Sequence, residues 1–84
     1  MTPTLIISQD GKIMINSAQT AGYEIIGGNY GDHIEYSIFA DESRLAVYHS
    51  KEMAKEQFTR LSMALVQEKR IFMFEPDKEE ETAE

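Results

Sequence analysis

The sequence has no cysteine and no tryptophan, two prolines, eight basic residues, and no long apolar run. Without cysteine there is no disulfide framework, no thiol nucleophile and no thiolate-held zinc or iron–sulfur centre. No stretch approaches the roughly 18 consecutive apolar residues of a transmembrane helix. Met1 to Ile7 lacks the basic n-region and small-residue cleavage site of a signal peptide, so the chain reads as soluble and cytoplasmic. The basic side chains (Lys12, Arg44, Lys51, Lys55, Arg60, Lys69, Arg70 and Lys78) are scattered along the chain. Counter-ion release on phosphates needs them clustered, so neither direct nucleic-acid contact nor membrane contact is expected.

What is present is a single domain's worth of chain. Eighty-four residues are 42% hydrophobic and 27% charged, close to globular averages. The net charge of −7 is unevenly placed: six acids and one base between Glu75 and Glu84 carry −5, leaving −2 for the rest. Beyond Phe74 no large apolar side chain follows, and such a segment cannot bury enough surface to offset its ordering entropy. The expected organisation is one α+β domain over 1–76 and an acidic, disordered tail over 77–84.

Alternating apolar residues define the expected elements. Thr4 to Ser8 and Lys12 to Asn16 form a hairpin around Gln9-Asp10-Gly11, with Gly11 in the left-handed region. A three-residue loop pairs Ile7 with Ile13 and Leu5 with Ile15 on one face, and leaves Ile6 and Met14 on the other. Ser17 to Gly22 is a connection, Tyr23 to Ile26 a short strand, and Gly27 to Asp32 a turn-rich loop. His33 to Phe39 alternates as a strand, with Ile34, Tyr36 and Ile38 on one face. Asp41-Glu42-Ser43 is a turn, and Arg44 to His49 a strand with Leu45 and Val47 on its apolar face. Ser50 caps a helix over about 51–68, with Glu52 in its first turn and Ala54, Phe58, Leu61 and Leu65 on one stripe. Met53 lies off the edge of that stripe. Ile71 to Phe74 is a final strand ended by Pro76. The sum is a mostly antiparallel sheet of five or six strands with one amphipathic helix packed on one face. One helix covers only part of such a sheet. Ile6, Met14, Phe39, Tyr48, Phe72 and Phe74 are the candidates for apolar surface on the opposite face, which a dimer or another protein would cover.

Little in the sequence points to chemistry. The Gly27-Gly28-Asn29-Tyr30-Gly31 run is followed by a strand and not by the helix N-terminus that phosphate-binding loops require. His33 and His49 are the only histidines. His33 and Glu35 share a strand face, but no ligand spacing announces a metal site, and none is assigned. No serine stands in a nucleophile elbow, so no catalytic residue is named and no cofactor is expected. Exposed aromatic and methionine side chains are the better lead, because adaptable apolar groups suit protein contacts. Tyr30, with Asn29 and His33 beside it, and Met63 opposite the helix's apolar stripe are the candidate contact residues.

Three segments carry a resemblance: Ser8-Gln9-Asp10-Gly11-Lys12, then Tyr48-His49-Ser50-Lys51-Glu52-Met53-Ala54-Lys55-Glu56, then Ile71-Phe72-Met73-Phe74-Glu75-Pro76. Together they resemble small uncharacterised proteins of Firmicute bacteria and their phages or prophages, with a similar hairpin, helix start and aromatic/Met terminal strand. The resemblance covers the two ends of the chain and not Ala18 to Ser43. It implies a phage or prophage setting and transfers no site residue. The expected function is a non-enzymatic protein-interaction module, self-associating or acting on a host protein as an inhibitor or regulator. The alternatives are a small-ligand or nucleotide binder using the Gly27 to Asp32 loop, with Tyr30 stacking on the ligand, and an enzyme using His33 and His49.

Overall fold

The computed structural model describes residues 3–77. It contains β1 (Leu5–Ile7), β2 (Met14–Asn16), a 3-10 turn (Ser17–Gln19), β3 (Tyr23–Asn29), β4 (Ile34–Ala40), β5 (Ser43–Tyr48), α1 (Lys51–Val66) and β6 (Ile71–Met73). The α+β class, the six mostly antiparallel strands and the single helix are as the sequence implies. The strands, however, divide into two three-stranded sheets, β2-β1-β6 (sheet A) and β3-β4-β5 (sheet B). The helix packs against sheet B. The pair β1–β6 is parallel, which requires a long crossover, and the rest of the chain including α1 supplies it.

Gln9 joins the two sheets. Its backbone N–H donates to the Leu45 carbonyl at 2.8 Å, and its side-chain Oε1 accepts from the Val47 N–H at 3.0 Å. The core between the layers is built from Ile6, Ile38, Leu45, Tyr48, Leu61 and Phe72, with further small and aromatic side chains around them. Burial of this apolar surface is the main stabilising term. Gln57, fully buried on the inner face of α1, ties the chain after β6 to the helix. Its Nε2 donates to Glu75 Oε1, while its Oε1 accepts from the Glu75 N–H and from Arg60.

The first hairpin forms one residue out of the expected register. Ile6 pairs with Ile15 and Ile7 with Met14, so the faces of β1 are exchanged: Ile6 is buried and Leu5 is exposed, while Met14 is exposed as expected. The cause is a four-residue loop. Gly11 is left-handed as expected, but the Ser8 side chain closes the loop beyond it. Ser8 Oγ donates to Asp10 Oδ1 at 2.6 Å and accepts from the Ile13 N–H at 3.0 Å.

Strand β5 also departs from simple alternation. Phe39 pairs with Arg44 but Ile38 with Ala46, so Leu45 is an extra residue, a β-bulge. The bulge lets Leu45, Ala46 and Tyr48 all be buried. Tyr48, Phe72 and Phe74 therefore belong to the core and not to an uncovered face. Met53, expected off the helix stripe, is buried as well. The Ser50 cap forms as expected, its Oγ accepting from the Met53 N–H. Asp77, assigned by sequence to the tail, is docked and buried. The remainder of the expected tail, 78–84, lies outside the described residues.

Candidate functional site

Among the described residues, two places combine exposure with unusual side-chain chemistry. The first is the end of sheet B where the β3–β4 turn meets the β5–α1 junction. His33 precedes β4 and Glu35 follows two residues later, on the same face. The bulge at Leu45 advances the β5 register by one, so that Tyr36 pairs with Tyr48 and the next position, His49, stands opposite Glu35. His33 Nε2 lies 3.0 Å from Glu35 Oε2, and His49 Nε2 lies 3.7 Å from the same oxygen. Each ring turns its other nitrogen to a carboxylate: His33 Nδ1 to Asp32 Oδ1 at 3.0 Å, His49 Nδ1 to Asp77 Oδ2 at 2.8 Å. One donor atom from each of His33, Glu35 and His49 lies within 4.8 Å of the other two. The carboxylates of Asp32 and then Glu35 hold the His33 imidazole above its ordinary value of 6.5. Reciprocally, the His33 hydrogen bond holds Asp32 below 3.8.

Four residues were candidates from sequence. Asn29 ends β3, exposed and paired with Ile34. Tyr30 and His33 close the hairpin through the Tyr30 N–H and the His33 carbonyl at 2.8 Å. Gly31, at φ 77°, is the first central residue of this two-residue turn, where a II′ geometry requires glycine. The first half of the expected Gly27 to Asp32 loop, Gly27 to Asn29, is thus strand. Gly27 and Gly28 accommodate tyrosine rings: a Cβ on Gly28 would lie 2.9 Å from the Tyr30 ring, and one on Gly27 3.2 Å from Tyr36. Tyr30 is half exposed, packed over Gly28 and stacked on His33 with centroids 6.1 Å apart. It is exposed as expected, and it packs on its own hairpin. Met63 is 52% exposed and lies apart from the other three.

Met63 borders the second place. A groove of about 400 Å³ between α1 and β6 is lined by Met63, Ile71 and Met73 among others. It continues onto the outer face of sheet A. There the register aligns Met14, Ile7 and Met73 in one row and Asn16, Leu5 and Ile71 in the next. Four of these side chains, Leu5 (40%), Met14 (62%), Ile71 (59%) and Met73 (57%), are exposed.

Sequence reasoning placed His33 with Glu35 on one strand face and weighed His33 with His49, but it did not bring all three together, and it missed Asp77. Among the described residues, no helix is long and apolar enough to cross a membrane. Comparison with known proteins gives no match, whether to a protein family, a curated protein or a solved structure.

Proposed function

We propose that the chain is a non-enzymatic protein-interaction module whose outer sheet A face pairs with a second copy of itself. The observation that carries this reading is the composition of that face: five apolar side chains and one asparagine in two aligned rows, with no charge among them. Exposed apolar patches on small domains mark contact sites. Two such faces stack about 10 Å apart with interdigitating side chains, as sheets do. A neutral face offers no charge pattern to select a foreign partner, whereas a two-fold axis makes the same patch complementary to itself. The two methionines in each face adapt to the mirrored surface. In the phage or prophage setting that the sequence resemblance suggests, a host protein would compete for this same surface, and the module would act as its regulator or inhibitor.

Light scattering at two concentrations tests self-pairing. The expected mass is twice 9.6 kDa, falling to the monomer in Ile71→Glu with the circular dichroism spectrum retained. A monomer at both concentrations, or a dimer untouched by Ile71→Glu and Met14→Lys, overturns the reading.

A further inference from the structure

We propose that His33, Glu35 and His49 form a binding site for a divalent transition-metal ion, Zn²⁺ first among them, with Asp32 and Asp77 orienting the two imidazoles from behind. The argument rests on how the five side chains face one another. Both Nε2 atoms approach one oxygen of Glu35, at 3.0 and 3.7 Å. Zinc binds imidazole nitrogen at about 2.0–2.1 Å and carboxylate oxygen at about 2.0–2.2 Å. Tetrahedral donors around it are therefore roughly 3.3–3.5 Å apart. The two observed separations straddle that spacing, and all three donors fall within 4.8 Å of one another. Small side-chain rotations are enough to close them on an ion.

The outer partners make this more than a chance cluster. Metal-binding imidazoles nearly always give their second nitrogen to a carboxylate, carbonyl or water, which fixes the tautomer and aims the first nitrogen at the metal. Here both rings show that arrangement, with Nδ1 on Asp32 and on Asp77 respectively. Asp77 is 1% exposed and also accepts the backbone N–H of His49 at 3.1 Å, so the second ring is held by a buried anchor.

Charge and donor type select the ion. Three carboxylates surround two imidazoles, and a dication offsets that excess of negative charge. Nitrogen donors favour Zn²⁺ and its transition-metal neighbours over Mg²⁺ and Ca²⁺, which prefer oxygen sets. Two histidines and one glutamate leave a fourth zinc position for water or for a group from another molecule. The partly exposed His33 and His49 side chains, at 44% and 29%, provide the entry path. A bound ion would tie the β3–β4 turn to the start of α1 and, through Asp77, to the end of the described chain. This site does not depend on pairing through sheet A.

The test uses the full chain after chelation and dialysis. Calorimetric titration with Zn²⁺ is expected to give one equivalent per chain and a raised melting temperature, with Mg²⁺ giving neither. Co²⁺ in place of Zn²⁺ should give the intense visible absorption of a four- or five-coordinate ion. His33→Ala lies at an exposed turn and should fold. It and Glu35→Gln are expected to weaken Zn²⁺ binding beyond the roughly 10–100-fold typical of losing an outer partner. Asp77→Asn should weaken it within that range. Absence of saturable Zn²⁺ binding overturns the proposal. So does unchanged affinity in His33→Ala and Glu35→Gln, which would assign the binding to other carboxylates.

Discussion

Glu35 and His49 stand opposite each other across β4 and β5 because Leu45 is inserted between them and the turn. At the turn the pairing runs Ala40 with Ser43 and Phe39 with Arg44, and past the bulge Ile38 pairs with Ala46 and Tyr36 with Tyr48. Without the extra residue, Tyr48 would take the place opposite Glu35 and His49 would project to the other face. One bulge thus places a tyrosine in the core and a histidine in the polar cluster. Its carbonyl is occupied in turn, accepting from Gln9 of the first hairpin.

The buried Asp77 carboxylate holds the polar cluster to the C-terminal segment, and its loss should be felt in stability. It accepts both the backbone N–H and the ring Nδ1 of His49. Removing it in Asp77→Ala leaves those donors to compete for water from a half-buried position. The expected cost is about 2 kcal/mol, read as a lowered urea midpoint at constant slope. Asp32→Ala removes the corresponding partner of His33 from a side chain that is 96% exposed, and should leave the midpoint where it is. Equal effects in the two variants would show that burial does not distinguish the two anchors.

The parts of the fold that depend on local pattern were legible in the sequence. Ser50 caps α1, Gly11 is left-handed, and Ala54 and Leu61 are buried as expected, whereas β4 departs from the expected alternation, with Ile34 exposed and Ser37 buried. What was not legible depended on single residues whose effect is non-local. Ser8 satisfies the Ile13 N–H and so lengthens the first loop by one, which exchanges the faces of β1. Leu45 does the same to β5, and no composition signal marks a bulge at a leucine. The place of His49 opposite Glu35 follows from that second shift, so the sequence pairs His33 with Glu35 without showing that His49 joins them. Asp77 was masked by its acidic neighbours: a segment of like charge reads as solvated, and nothing in it signals that one carboxylate has a buried partner.

The Ser8–Asp10 contact should appear in the pH dependence of the hairpin. The Ser8 hydroxyl and then the Lys12 backbone N–H donate to Asp10 and hold its carboxyl below the ordinary 3.8. A depressed folded-state value means the contribution is fully present above 3.8 and is lost as pH falls through the folded value. A carboxyl-carbon NMR titration should place the Asp10 midpoint below 3.8, and Ser8→Ala should move it back toward that value. The same substitution removes the acceptor of the Ile13 N–H and should cost about 1 kcal/mol. An Asp10 midpoint that ignores Ser8→Ala would remove the basis for the four-residue loop.

Among the described residues, two other than glycine adopt positive φ, Asp41 and Glu68, both at 54°, and glycine should have opposite effects at the two positions. Glu68 follows the C-cap of α1. There the Glu68 N–H donates to the Leu65 carbonyl and the Lys69 N–H to the Ala64 carbonyl, the Schellman arrangement that favours glycine at this position. Those bonds are all backbone, so Glu68→Gly keeps them and relieves the left-handed strain of a side chain, which outweighs the loss of the exposed carboxylate's own surface interaction. The expected gain is about 0.5–1 kcal/mol. Asp41 begins the β4–β5 turn, and its carboxylate accepts from the Ala21 and Gly22 N–H groups at 3.1 and 2.9 Å. Asp41→Gly relieves the same strain but leaves those two donors without their acceptor and frees the segment entering β3. The expected net loss is about 1 kcal/mol. Asp41→Asn, which tolerates the left-handed region and retains one acceptor oxygen, should fall between wild type and glycine. Urea midpoints for the three variants decide the matter: if both glycine variants shift stability in the same direction, backbone strain outweighs the Asp41 contacts and the carboxylate is not what holds that turn to β3.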